Sequence, residues 1–279
     1  MQQQNHLCVY IRYNNVCMTY KNYIFDLYGT LLDIHTDETK PLLWKTMADL
    51  YACYGADYTP DEMKDAYHYV CMSEQTRIQK ASGNLHSEIN LDTVFLRLLI
   101  EAPHTHASIH KPDGWGREEA LHWTYHTASV FRSLSCDYCH PYEDTLSTLK
   151  QLKEKGCRLF ILSDAQAVFT YPELERNGLM NLFDDIWLSS QKQLCKPAPG
   201  FLGGLINKYH LKKKHTVLIG NSYETDIQSA YDHQIDSYFM NTDQLPGYER
   251  RKRLNRIRHD GTYMPRVIYH LSDLLKIND

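Results

Sequence analysis

Carboxylates, hydroxyls and one lysine recur at the ends of short apolar runs in this chain. Asp26, Tyr28 and Thr30 close the run that begins at Tyr23 and breaks at Gly29. Ser163 and Asp164 follow the run from Cys157 to Leu162, and Lys196 stands in a proline-containing loop. Asn221, Ser222 and Asp226 follow the run Thr216 to Ile219, which ends at Gly220. Carboxylate oxygens with few other ligands suit Mg²⁺, which keeps several waters and shares a phosphate. A lysine supplies compensating charge for an anionic substrate. Each residue alone has an ordinary structural explanation; their joint order at the ends of apolar runs points to chemistry.

The elements that must position these residues alternate. Tyr23 to Leu27 reads as a buried strand with a polar turn after it. Between about Glu38 and Arg132 the strand signals vanish. Leu42 to Tyr54, Asp61 to Arg77 and Leu91 to Glu101 carry apolar residues at helical spacing. Thr59-Pro60-Asp61-Glu62 is a helix start, with Thr59 as N-cap and Glu62 three residues on. Alternation resumes with a helix over Glu143 to Lys155, the strand Cys157 to Leu162 and a helix around Pro172 to Asn177. A strand near Asp185 to Ser189, a helix from Pro199 to Tyr209 and the strand Thr216 to Ile219 follow. Glu224 to His233 reads as helix and Ser237 to Met240 as the last core strand, with Pro141 opening the helix after the insertion. The expected fold is α/β, a doubly wound parallel sheet over 20–37 and 133–279, with an all-helical insertion at 38–132 and an extension at 1–20. In such a sheet ligands bind beyond the carboxyl ends of the strands, where all these polar residues fall.

Four segments carry a resemblance to a known family. Phe25-Asp26-Leu27-Tyr28-Gly29-Thr30-Leu31 resembles the first motif of the haloacid dehalogenase-like hydrolase superfamily. Leu162-Ser163-Asp164-Ala165 is similar to its second motif, and Lys196-Pro197-Ala198-Pro199 to its third. The stretch from Gly220 to Ile227 is similar to its fourth. The motifs occur in order between about residues 20 and 240, and the insertion falls where members with a small helical cap carry theirs. The resemblance implies a Rossmann-like core and a covalent aspartyl intermediate on Asp26. It implies that Thr30 and Ser163 position the transferring group, that Lys196 neutralises it, and that Asp164 lies at the edge of the substrate. It also implies Mg²⁺ held by Asp26, Asp226 and the backbone carbonyl of Tyr28, and a small phosphorylated substrate.

One departure bears on mechanism. Phosphatases of this superfamily carry a second Asp two residues after the nucleophile, as acid for the leaving group. Here that position is Tyr28, whose phenol, with a pKa near about 10, gives up its proton reluctantly. General acid–base catalysis is worth about 10²–10⁴-fold, so alkyl phosphate esters are expected to turn over slowly. Asn221 stands where phosphatases usually have Asp. Tyrosine at position 28 also resembles the 2-haloacid dehalogenase branch, which uses no metal but needs an arginine early in the cap. The comparable stretch holds Asp57, and the first arginine of the insertion is Arg77. The alternatives to a phosphatase are therefore a dehalogenase and a metal-binding member without turnover.

Composition sets the outer limits. The 279 residues are 43% hydrophobic and 23% charged, which excludes a largely disordered chain, and the net charge of -4 gives no general pull toward nucleic acid or anionic lipid. No apolar run is long enough for a membrane span. The polar opening Met1 to Asn5 has no export pattern, so a cytoplasmic location with reduced thiols at all 8 cysteines is expected; Met18 is an alternative start. Cys136, Cys139 and His140 match a haem-attachment spacing, but without export they read as structural. His104, His106, His110, His122 and His126 form a histidine-rich stretch that reads as solvated or packed. The basic run Arg250 to Arg253, with Arg256 and Arg258, reads as an exposed face, because no aromatic-interleaved repeat accompanies it.

Overall fold

A computed structural model describes residues 20–105, 115–257 and 263–276. Met18, Cys8, Cys17, His106, His110 and Arg258 lie outside the described residues, as does nearly all of the expected extension.

A six-stranded sheet forms the centre. Its strands are β1 (Asn22–Phe25), β2 (Arg158–Ser163), β3 (Asp185–Leu188), β4 (Thr216–Gly220), β5 (Asp236–Met240) and β6 (Arg266–Ile268). All neighbours pair in parallel, in the order β6-β5-β4-β1-β2-β3. Strand β1 is buried at every position, which is why it reads as a continuous apolar run rather than an alternating one. Its side chains nevertheless divide between two faces. Tyr23 and Phe25 join Leu149, Leu152 and Leu174 on one side. Ile24 joins Phe160, Leu162, Phe201 and Leu205 on the other. Helices thus cover both faces, and the carboxyl ends of β1, β2 and β4 share one rim.

The sequence reading departs from the structure at four places. The insertion expected to be all-helical also holds a short antiparallel pair, Ala56–Asp57 with His104–Thr105, each strand too short to show a pattern. Strand β6 extends the sheet beyond Met240, and at three residues it is too short to show a pattern. The helix expected to open at Pro172 spans Ala167–Arg176, with the proline inside it. Pro141 does not begin a helix; it ends the strand Cys136–Pro141, which pairs antiparallel with Leu32–Thr36.

That two-stranded ribbon leads into and out of four helices: α1 (Pro41–Ala52), α2 (Pro60–Ser82), α3 (Leu91–Ile100) and α4 (Arg117–Ser135). They pack around an apolar cluster of their own, which includes Trp44, Tyr67, Phe95, Trp123 and Phe131. The helix Ala167–Arg176, named α5 here, contributes Phe169 to that cluster although it belongs to the sheet's layer. Among the described residues no helix is long and apolar enough to cross a membrane.

Helix α2 starts on a complete capping box. The Glu62 amide donates to Thr59 Oγ1 at 3.2 Å, and the Thr59 amide donates to Glu62 Oε2 at 2.8 Å. Thr59→Ala removes one of these partners and should lower stability by about 1 kcal/mol, read from urea unfolding.

Candidate active site

The turn after β1 is closed by the amides of Leu31 and Leu32, both donating to the carbonyl of Leu27 at 2.8 and 3.0 Å. The chain can double back so tightly because Gly29 takes φ +77°, and a Cβ there would meet Asn221 Nδ2 at 2.1 Å. Thr30 is thereby folded under Asp26, with its hydroxyl 3.3 Å from Asp26 Oδ2. From β2, the Ser163 hydroxyl donates to Asp26 Oδ1 at 3.1 Å.

Beyond β4 the chain makes a widened helical turn. The amides of Asp226 and Ile227 both donate to the Ser222 carbonyl at 3.1 Å. The Asp226 side chain bends back to accept the Ser222 amide at 3.0 Å. It lies so close to Gly220 that a Cβ there would sit 2.2 Å from its carboxylate.

Lys196 joins the two halves. Its ammonium donates to Asp26 Oδ1 at 2.7 Å and to Asp226 Oδ1 at 2.6 Å. Lys196, Asp26 and Asp226 are all buried. Asp164 accepts the Lys196 backbone amide at 2.8 Å, which fixes the loop rather than the ammonium. Burial pulls the Lys196 ammonium toward neutrality, but the carboxylates of Asp226 and Asp26 outweigh it and the net direction is up. Burial raises Asp164 against the pull of Lys196. Asp226 is pushed up to about 7 by burial, although Lys196 opposes the rise. Two carboxyl groups and one ammonium held out of water are a costly arrangement for packing alone.

The donor set suits a hard cation. Asp226 Oδ2 takes a backbone amide, and Asp26 Oδ2 only the long contact to Thr30, so both oxygens keep free lone pairs. Two carboxylates and a carbonyl, completed by water, fit the requirements of Mg²⁺. Among the described residues no group of three or more His, Cys, Asp or Glu side chains could hold a metal, so a cation here rests on the two carboxylates, a backbone carbonyl and water. Cys136 and Cys139 are free thiols on the ribbon, and His122 and His126 pair with each other at the surface of α4, 3.0 Å between their Nε2 atoms.

Tyr28 is engaged elsewhere. Its hydroxyl donates to Glu173 Oε2 at 2.5 Å and lies 3.1 Å from Thr170 Oγ1, both on α5. Burial, with the Glu173 carboxylate beside it, holds the phenol protonated far above its ordinary range. Glu173 carries no signal in the sequence, since nothing marks a glutamate in mid-helix as the partner of a residue on β1's turn. The basic run occupies a helix over Gly247–Ile257, where Arg253 pairs with Glu249 and Glu224.

A family model for haloacid dehalogenase-like hydrolases matches residues 23–240. The chain belongs to that family. Glyceraldehyde 3-phosphate phosphatase from Methanocaldococcus jannaschii is 31% identical over 107 residues, which is 38% of this chain and 44% of the relative. Phosphoglycolate phosphatase from Pasteurella multocida is 29% identical over 96 residues, 34% of this chain and 42% of the relative. The matched region therefore spans less than half of either relative. Among solved structures, a phosphatase of this family from Thermococcus onnurineus superposes with TM-score 0.54 at 18% identity, covering 92% of this chain and 97% of its own. A 2-haloacid dehalogenase from Pseudomonas syringae pv. tomato superposes with TM-score 0.58 at 16% identity, with the same coverage. At those identities the likeness is one of fold, and it extends across phosphatase and dehalogenase alike.

The elevated Asp226 carboxyl has a measurable consequence in metal-free protein. Because its folded value lies above the unfolded 3.8, the folded state holds the proton more tightly. The resulting contribution is fully present below the unfolded value and is lost as pH rises through about 7. Urea unfolding in chelator should therefore show stability falling between about pH 4 and 7, and Asp226→Asn should flatten that slope.

Proposed function

We propose that this hydrolase is a phosphatase acting on a small phosphorylated molecule through a covalent intermediate on Asp26. The observation that carries the reading is the Lys196 ammonium held at 2.7 Å from Asp26 at the carboxyl rim of the sheet. An ammonium there offsets the charge of an approaching phosphoryl group. A carboxylate oxygen of Asp26 attacks phosphorus. The P–O bond to the leaving group then breaks, and water later cleaves the aspartyl phosphate to regenerate the carboxylate. Ser163 and Thr30 orient Asp26, each through the one proton of its hydroxyl.

Mg²⁺ fits this reading, held by Asp26, Asp226 and the Tyr28 backbone carbonyl, where it would offset charge between the nucleophile and the phosphoryl group. The helical segment 38–132 is read as a cap that closes over the rim and limits the substrate to a small molecule. Contacts across that boundary support the reading. The Cys195 amide, next to Lys196, donates to the His86 carbonyl at 2.9 Å, and the Leu91 amide donates to Gln166 Oε1 at 2.9 Å. The Ser189 hydroxyl lies 3.1 Å from Glu88 Oε2.

A haloacid mechanism would call for a cap arginine free to hold halide and carboxylate. Arg77 is paired with Glu74, Arg97 with Glu101 and Arg132 with Glu173, while the fourth arginine of the segment, Arg117, is exposed at the start of α4. These engagements favour phosphoryl transfer.

With the Tyr28 hydroxyl committed to Glu173, turnover should fall steeply as the leaving group becomes more basic. Aryl and acyl phosphates should be cleaved faster than alkyl monoesters by about 10²-fold or more. Asp26→Asn should abolish turnover of both while the protein stays folded. Comparable rates on alkyl and aryl esters would refute the leaving-group dependence. Halide release from a 2-haloacid in the presence of chelator would replace the phosphatase reading altogether.

A further inference from the structure

Tyr28 occupies the position where a proton donor is expected, yet its hydroxyl faces a buried carboxylate on another element. Glu173 is almost completely buried and is the meeting point of three donors. Tyr28 arrives from the turn after β1. Arg132 arrives from the last turns of α4, with Nε 2.7 Å from Glu173 Oε1. Arg176, on α5 itself, stands 3.6 Å from the same oxygen. The Arg132 guanidinium also lies 4.9 Å from the centre of the Phe169 ring and 5.8 Å from that of Tyr28. Phe169 in turn stacks on Phe131 at 6.0 Å with the ring planes 7° apart.

These contacts have a direction. Tyr28 is two residues from the nucleophile, and Arg132 is three residues before the end of α4, where the chain enters the ribbon strand Cys136–Pro141. A buried carboxylate held by donors from both sides resists their separation, because parting leaves it unpaired out of water. We propose that Tyr28 is a positioning residue: with Glu173 and Arg132 it forms a clasp that fixes the helical segment relative to the nucleophile turn.

The aromatic at position 28 thus serves placement rather than proton transfer. Since the consequence for turnover rests on the phosphatase reading, the test needs one readout that does not. Tyr28→Phe keeps the ring and deletes the hydroxyl. Amide hydrogen exchange on the full chain should then quicken in the ribbon strands Leu32–Thr36 and Cys136–Pro141 and at the end of α4, while β1 and β2 keep their protection.

Kinetically, the same variant should lose about tenfold in kcat/KM, the worth of one hydrogen bond to a charged group. That loss should be equal for an aryl phosphate and an alkyl phosphate, because placement is indifferent to the leaving group. A penalty that grows with leaving-group basicity would identify Tyr28 as a proton donor and overturn the proposal. Unchanged exchange at the ribbon would overturn it as well. If the wild-type chain cleaves neither ester, the phosphatase reading falls while the exchange result still decides the clasp. Should Tyr28→Phe not fold, Arg132→Lys keeps the charge but gives up the planar fork, and the same two readouts apply to it.

Discussion

A single buried ammonium holds the site together. Lys196 sits between two carboxylates that would repel one another at that separation from water, and it contacts both within hydrogen-bond distance. Without it, the two carboxylates would face each other in a dry site with nothing to offset their charge. The fold supplies this triad from three separate places: the end of β1, the loop after β3 and the turn after β4. Only a parallel sheet, whose carboxyl ends all face one rim, brings such distant segments together without long side-chain reaches.

The close backbone approaches on the same rim follow from that need. Gly29 and Gly220 both lie where a methyl group would collide with a polar side chain, Asn221 in one case and Asp226 in the other. Each glycine lets a loop come near enough for its neighbour to make a bond that a longer loop would leave to water. The widened turn at Asp226 does similar work by returning the carboxylate toward Ser222. Local backbone geometry, more than side-chain length, thus sets the distance between the charged groups.

Much of the rim was legible before any coordinates. Asp26, Thr30, Ser163, Lys196 and Asp226 each follow an apolar run or a proline-marked loop, so their type and their location in the fold arrive together in the sequence. The capping box at Thr59 was legible for the same reason, since its partners lie three residues apart. Pro172 misled because proline usually opens a helix, whereas here α5 accommodates it in mid-course. Strand β6 was invisible at its length. Glu173 was invisible for a deeper reason. It lies 145 residues from Tyr28 and 41 from Arg132, and no periodicity links residues that only the folded chain brings together.

That last case shows how an exchange of one side chain can redistribute a role. A carboxylic acid at position 28 would be too short to reach Glu173 and would add a second negative charge beside it. A phenol reaches, and it donates. Once the hydroxyl is committed to Glu173 it cannot also serve a leaving group, so proton donation and the link to α4 exclude each other at this position. Helix α5 makes the exclusion consequential. It begins just after Ser163 and Asp164, carries Glu173 midway, and lends Phe169 to the apolar cluster of the inserted helices. The element that follows the second polar loop of the rim is thus the same one on which the inserted helices rest. It is one route by which a change in how those helices sit reaches Asp26, beside the ribbon and the Cys195–His86 contact.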